Sequence, residues 1–99
     1  MLTLSQIRED LKEIRYYYSR KNQFDEASHQ VGPNAVMEKV TKYNAIIRTA
    51  SPMLYDLYVS LYLKNHTQES LSVVLNFTPQ HIQFLNKQLL LFLQRELSK

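Results

Sequence analysis

Thr67-Gln68-Glu69-Ser70-Leu71-Ser72-Val73-Val74-Leu75-Asn76-Phe77-Thr78-Pro79-Gln80-His81-Ile82-Gln83-Phe84-Leu85-Asn86-Lys87-Gln88-Leu89 is the stretch that decides the fold. Thr67 opens a short helix, because its hydroxyl can accept an orphan amide hydrogen at the N-terminus. The spacing predicts that this helix ends near Leu75. Asn76-Phe77 then forms a tight turn, with Asn76 in the positive-φ role usually taken by glycine. Thr78-Pro79 starts the next helix: threonine caps it, and proline at its first position lacks only a donor that would have no partner anyway. A short helix, a three- or four-residue turn and a second capped helix make the helix-turn-helix pattern. Leu71, Val74 and Leu75 on the first helix, Phe77 in the turn, and Ile82, Leu85 and Leu89 on the second are its expected apolar contacts. Ser72 is small enough to sit where the two helices cross.

The rest of the chain reads as helix too. Ser51-Pro52 repeats the cap-then-proline start and predicts a helix from Pro52 to about Lys64. Its apolar positions are Leu54, Leu57, Tyr58, Leu61 and Tyr62, and Asn65 serves as its left-handed stop. Before it, Asn34 is a candidate cap for a helix over about 35–49, facing inward with Val36, Val40, Tyr43 and Ile47. The first helix runs from about Thr3 to Lys21. There Leu4, Ile7, Leu11, Ile14 and Tyr18 recur at steps of three and four, a seam of coiled-coil width. That seam either pairs with a second copy, with Leu4, Ile7, Leu11 and Ile14 as its contacts, or packs on the chain's own core. Two to three heptads do not distinguish the two. The apolar period disappears over 22–33, which reads as a connection.

Five helices, no strand and a single all-α domain are therefore expected. An N-terminal helix and connection occupy 1–33, and 34–99 carry the helix-turn-helix at 67–89. Ninety-nine residues suit one domain. One glycine argues against hairpins and glycine-rich phosphate loops, and the lack of cysteine removes disulfide, thiol and thiolate-zinc chemistry. His29, His66 and His81 lack metal-ligand spacing, and no serine lies in a nucleophile-elbow context. The expectation is a protein that is not an enzyme and needs no cofactor. With no signal-peptide pattern and no apolar run longer than Leu89–Leu93, a soluble cytoplasmic protein without membrane contact is expected.

Residues 51–93 resemble region 4 of bacterial sigma factors and related helix-turn-helix regulators. The matching string is Thr67-Gln68-Glu69-Ser70-Leu71-Ser72, then Leu75-Asn76-Phe77-Thr78, then Ile82 and Leu85. With a helix in front and about a hundred residues in all, the chain is similar to small phage-encoded RinA/ArpU-like late-gene transcription regulators. The resemblance implies double-stranded DNA as the partner, with the last helix in the major groove. At 100° per residue from Ile82, Gln80, Gln83, Phe84 and Lys87 point away from the core. Gln80 and Gln83 have the geometry to pair with adenine, and Lys87 to reach guanine or phosphate. Phe84 has a thymine methyl within its repertoire, and Gln68 and Thr78 are expected at phosphates.

Charge works against a lone subunit. The net +3 is concentrated in the first fifty residues, and Ser51 to Lys99 hold four basic and three acidic residues. Backbone affinity depends on such cations, so a homodimer or RNA polymerase would have to supply the rest. A protein-interaction module on the same scaffold is the competing reading. Phe84 and Leu91 oppose the buried stripe of the last helix, which suggests packing on the N-terminal helix or on a second subunit. Arg15, Tyr16, Tyr17, Arg20 and Lys21 form a second candidate set of nucleic-acid contacts. Cations at a helix C-terminus would produce the same composition for dipole reasons alone.

Overall fold

A computed structural model describes residues 2–21 and 35–99. Those residues form five α-helices and no strand: α1 (Leu4–Ser19), α2 (Ala35–Ile47), α3 (Pro52–Tyr58), α4 (Gln68–Leu75) and α5 (Pro79–Leu97). The connection expected over 22–33 and the Asn34 cap lie outside the described residues. Among those residues no helix is long and apolar enough to cross a membrane.

The helix starts follow from their caps. Ser51 accepts the amide of Leu54 ahead of Pro52, and Thr67 accepts that of Ser70. Thr78 does the same for His81 ahead of Pro79. Thr3 opens α1 with a reciprocal pair, accepting from the Gln6 amide while the Gln6 side chain accepts from the Thr3 amide. Asn65 and Asn76 are the two non-glycine residues with positive φ among the described residues, at 61° and 57°. Both take the left-handed role that the sequence assigns them.

The stop after Leu75 is a Schellman turn: Phe77 N–H reaches the Ser72 carbonyl at 2.9 Å and Asn76 N–H that of Val73 at 3.2 Å. The helix expected over 52–64 departs from plain α geometry. After Tyr58 it widens into a π-helical segment, Val59–Leu63, in which Lys64 N–H bonds the Val59 carbonyl five residues back.

One apolar core draws on every helix. It takes Ile7, Leu11, Ile14 and Tyr17 from α1, Val40, Tyr43 and Ile47 from α2, and Leu57 and Tyr58 from α3. Leu61 of the π-helical segment, Leu71 of α4, and Ile82, Leu89, Leu90 and Leu93 of α5 complete it. The N-terminal stripe is thus sealed inside this chain. Ile7, Leu11 and Ile14 are buried and Leu4 is half-buried against the same core, so the stripe is not a free seam for a second copy. The neighbouring helices already cover a face only one stripe wide. In its last turn Tyr17, rather than Tyr18, takes the inward position.

The other side of the last helix behaves as two different surfaces. Leu90 turns into the core, where α5 packs against α1, while Phe84 and Leu91 stay exposed. On α4 the expectation for Val74 and Leu75 fails, since Val74 is 70% exposed and Leu75 is exposed as well. The buried arc of α4 is centred between Leu71 and Ser72. A step of 100° per residue carries Val74 past its edge and Val73, 77% exposed, to the opposite side.

Candidate nucleic-acid interface

The helix-turn-helix pair is fixed first by its own contacts. Ser72 is buried, and its hydroxyl donates to the Glu69 carbonyl at 2.7 Å, which satisfies it within α4. Phe77 seats half-buried in the turn and meets the His81 ring edge-on at 4.8 Å. Ile82, with no exposed surface, anchors the start of α5.

With Ile82 held inward, Gln80, Gln83, Phe84 and Lys87 lie exposed along α5. Gln68, the first residue of α4, is half-buried, and Thr78 is exposed with its oxygen engaged as the cap of α5. Gln68, Gln83 and Lys87 come together on one open notch, which Arg8, Asn86 and Leu90 complete. Gln80 and Phe84 do not line it. Phe84 instead lies beside His81, whose ring is nearly parallel at 6.4 Å between centroids. The outward side of α5 therefore has a polar flank towards α1 and an aromatic flank away from it.

Arg8 and Asn86 are the members that the sequence does not single out. Asn86 falls at the edge of the buried arc of α5, and Tyr62 donates its hydroxyl to Asn86 Oδ1 at 2.7 Å. Arg8 sits on α1, far ahead of α4 in the chain, so no spacing rule links the two. Its register is legible only as the solvent side of the Ile7–Leu11 stripe.

The second expected contact set divides. Tyr17 is 6% exposed and packs edge-on against Tyr18 at 5.1 Å, so its ring is not available for a base to stack on. Arg15 is half-buried: Nε donates to Asn65 Oδ1 at 2.7 Å and a terminal nitrogen donates to the Asn65 carbonyl at 3.2 Å. That latch ties α1 to the left-handed residue just before α4. Tyr16 remains exposed, with the Arg20 guanidinium 5.0 Å from its ring centre. Lys21 is exposed as well.

Most other tyrosines are structural. Tyr43 donates to Asp10 Oδ2 at 2.6 Å, and Lys39 bridges Asp10 and Glu13 at 3.0 and 2.6 Å. Tyr58 donates to Asn44 Oδ1 at 2.8 Å, and the Asn44 amide donates to the Tyr18 hydroxyl at 2.9 Å. Burial raises the pKa of Tyr43, Tyr58 and Tyr62 above the ordinary tyrosine value, and for Tyr43 the bond to ionised Asp10 adds to the rise. Lys39 is raised by its bonds to Glu13 and Asp10. Each ring buries its body and keeps a partner for its hydroxyl, the arrangement that a buried tyrosine needs.

A second concavity lies on the far side of the helix-turn-helix. Met53, Leu57, Leu71, Leu75, Phe77 and Leu85 line an apolar groove of about 170 Å³. Among the described residues no three His, Asp or Glu side chains gather as metal ligands. In comparisons with protein-family models, curated proteins and solved structures, nothing matches this chain.

Proposed function

We propose that the protein is a sequence-specific DNA-binding regulator of transcription that reads the major groove with α5. One observation carries the reading. Gln80, Gln83 and Lys87 lie exposed along α5, directly behind a turn closed by the Asn76 αL residue and the Thr78 cap. Two glutamines and a lysine on a helix of this kind suit bidentate contacts to adenine and a contact to guanine or phosphate. The resemblance of residues 51–93 to sigma region 4, and of the whole chain to RinA/ArpU-like regulators, supports a role in phage or prophage late-gene control, in the cytoplasm of a bacterial host. No step of this reading requires catalysis or a cofactor.

The small positive charge of residues 51–99 leaves one subunit short of backbone affinity. A homodimer on two half-sites supplies what one copy lacks, and it would have to form away from the buried α1 stripe. Leu91 is the self-association candidate that stays exposed. Light scattering at high micromolar concentration should give twice the monomer mass; a monomer there removes the dimer.

Selection from a random duplex library at low salt tests the main reading. A common motif should emerge, and Gln83→Ala should weaken binding to it by about 1–3 kcal/mol. Lys87→Ala should weaken all duplexes more evenly. If no duplex is retained, or if both variants bind like the parent, α5 is not the reader.

A second reading has its own observation. Val73 and Val74 are 77% and 70% exposed, and Phe84 is 57% exposed. Such residues suit a protein surface better than a phosphate backbone, and RNA polymerase is the partner that reading implies. Replacing Val73 and Val74 by serine would abolish polymerase binding and spare DNA binding.

A further inference from the structure

The notch beside α5 is unusual in its charge. Arg8 of α1 and Lys87 of α5 face one open concavity of about 320 Å³, and none of its lining residues is a carboxylate. Five other cations are engaged: Lys12 pairs with Glu9, Lys39 with Asp10 and Glu13, Arg95 and Lys99 with Glu96, and Arg15 with Asn65. Neither Arg8 nor Lys87 has an ion pair or side-chain hydrogen bond within the described residues. Lys42, Arg48 and Lys64 are likewise without an ion pair or side-chain hydrogen bond among the described residues, but none of them lines the notch.

The remaining lining groups are amides. Asn86 has its carbonyl oxygen occupied by the Tyr62 hydroxyl at 2.7 Å. What it can offer a ligand is its NH2 group. Gln68 and Gln83 have amide NH2 groups as well. The notch is thus donor-rich, with two fixed charges and no opposing anion.

Its position is held from outside. Arg15 and Arg8 are two turns apart on α1, on one side of the helix and roughly 10 Å apart along its axis. The two bonds from Arg15 to Asn65 fix α1 against the segment that leads into α4. Arg8 is therefore set over the notch by a rigid helix. Gln83 and Lys87 belong both to the notch and to the exposed stripe of α5, so whatever contacts that stripe passes the notch mouth.

We infer that Arg8 clamps a backbone phosphate of the duplex read by α5, with Lys87 and the Asn86 amide completing a phosphodiester site that joins the N-terminal helix to the DNA interface. This rests on the DNA reading above. The ligand is the phosphodiester of double-stranded DNA, and the contact is independent of sequence.

Binding of Arg8→Ala and Arg8→Lys to the selected duplex, measured over a range of salt, tests the inference. Arg8→Ala should reduce the slope of log affinity against log salt by about 0.9, the value for one lost phosphate contact. Arg8→Lys should restore most of that slope. Lys42→Ala, a change at an exposed cation on α2 near Leu97, should leave it unchanged. Arg8 is exposed and its guanidinium is unbonded, so thermal melting of Arg8→Ala should match the parent. In parallel, the Arg8 guanidinium Nε resonance should shift on adding duplex. An unchanged slope in Arg8→Ala, with DNA binding intact, overturns the clamp alone. A resonance that moves with inorganic phosphate and not with duplex overturns it too, since the notch then holds only free anions. If the parent protein binds no duplex, the DNA reading fails and the clamp fails with it.

Discussion

Helices α1 to α3 and the α4–α5 pair solve the same packing problem with different outcomes. In the first region Tyr43 and Tyr58 are drawn inward with their polar tips paired, on Asp10 and Asn44, while Tyr16, Met53 and Tyr55 stay exposed. In the second the core is aliphatic, yet Val73, Val74, Leu75, Phe84 and Leu91 remain exposed. Short α4 accounts for part of this, because eight residues present only one narrow arc to the rest of the fold. Phe84 and Leu91 lie on long α5, whose far side no other described helix covers. Apolar side chains left largely outside after the core is closed contribute less to folding than buried ones. Five of the eight exposed large apolar or aromatic side chains among the described residues lie on α4 and α5.

The largest expected effect sets an inward residue of the second region against an outward one. Ile82→Ala should cost about 2–5 kcal/mol, read by urea denaturation, because it opens a cavity beneath both flanks of α5. A loss as small as that of a surface change would mean that α4 and α5 do not pack as described.

Alkaline pH separates the regions next. The raised pKa values of Tyr43, Tyr58, Tyr62 and Lys39 mean that the folded state holds their protons more tightly than the unfolded chain. Their stabilisation is therefore complete below the ordinary values near 10 and is lost as pH rises beyond them. Stability should be level from about pH 7 to 9 and fall steeply above about 10. Tyr43→Phe should make that fall shallower. A profile that stays flat to about pH 12 would contradict the buried, bonded hydroxyls.

Turn chemistry gives a smaller effect. Asn76→Ala should destabilise by about 1–2 kcal/mol, since alanine resists the left-handed region, whereas Asn76→Gly should be neutral or slightly stabilising. Equal losses from both would show that the asparagine side chain, rather than its φ, is what matters. Smallest of all, Val73→Ser and Val74→Ser should each change stability by no more than about 0.5 kcal/mol. A loss several times larger would place those valines inside and remove the contrast between the regions.

The helix-turn-helix is legible in the sequence because its signals are local. Caps at Thr67 and Thr78, proline at the first position and asparagine in the turn all act within four residues of where they stand. The exposed row Gln80, Gln83 and Lys87 follows from a helical period once Ile82 is placed inward. The notch is legible only in part. Gln68, Gln83 and Lys87 are among the expected contacts, but Arg8 enters through the packing of α1 on α5. Tyr17 and Arg15 depart from expectation for a related reason. A tyrosine-rich helix end has the same composition whether its rings stack on bases or fill a core, and only the neighbours of Tyr17 choose between the two. The latch from Arg15 to Asn65 spans fifty residues, beyond the reach of any sequence period.

By itself the sequence determined five helices, the caps at Ser51, Thr67 and Thr78 and the two left-handed asparagines, because hydrogen-bonding and steric preferences of that kind are settled between near neighbours. Tertiary structure decided which faces are spent on folding. A stripe such as Leu4–Ile7–Leu11–Ile14 is equally apolar against a second copy or against its own chain, and packing with α2, the π-helical segment and α5 settled it inward. The same packing left Val73, Val74 and Phe84 outside and set Arg8 beside Lys87, since burial belongs to the surface that surrounds a residue and not to the residue alone.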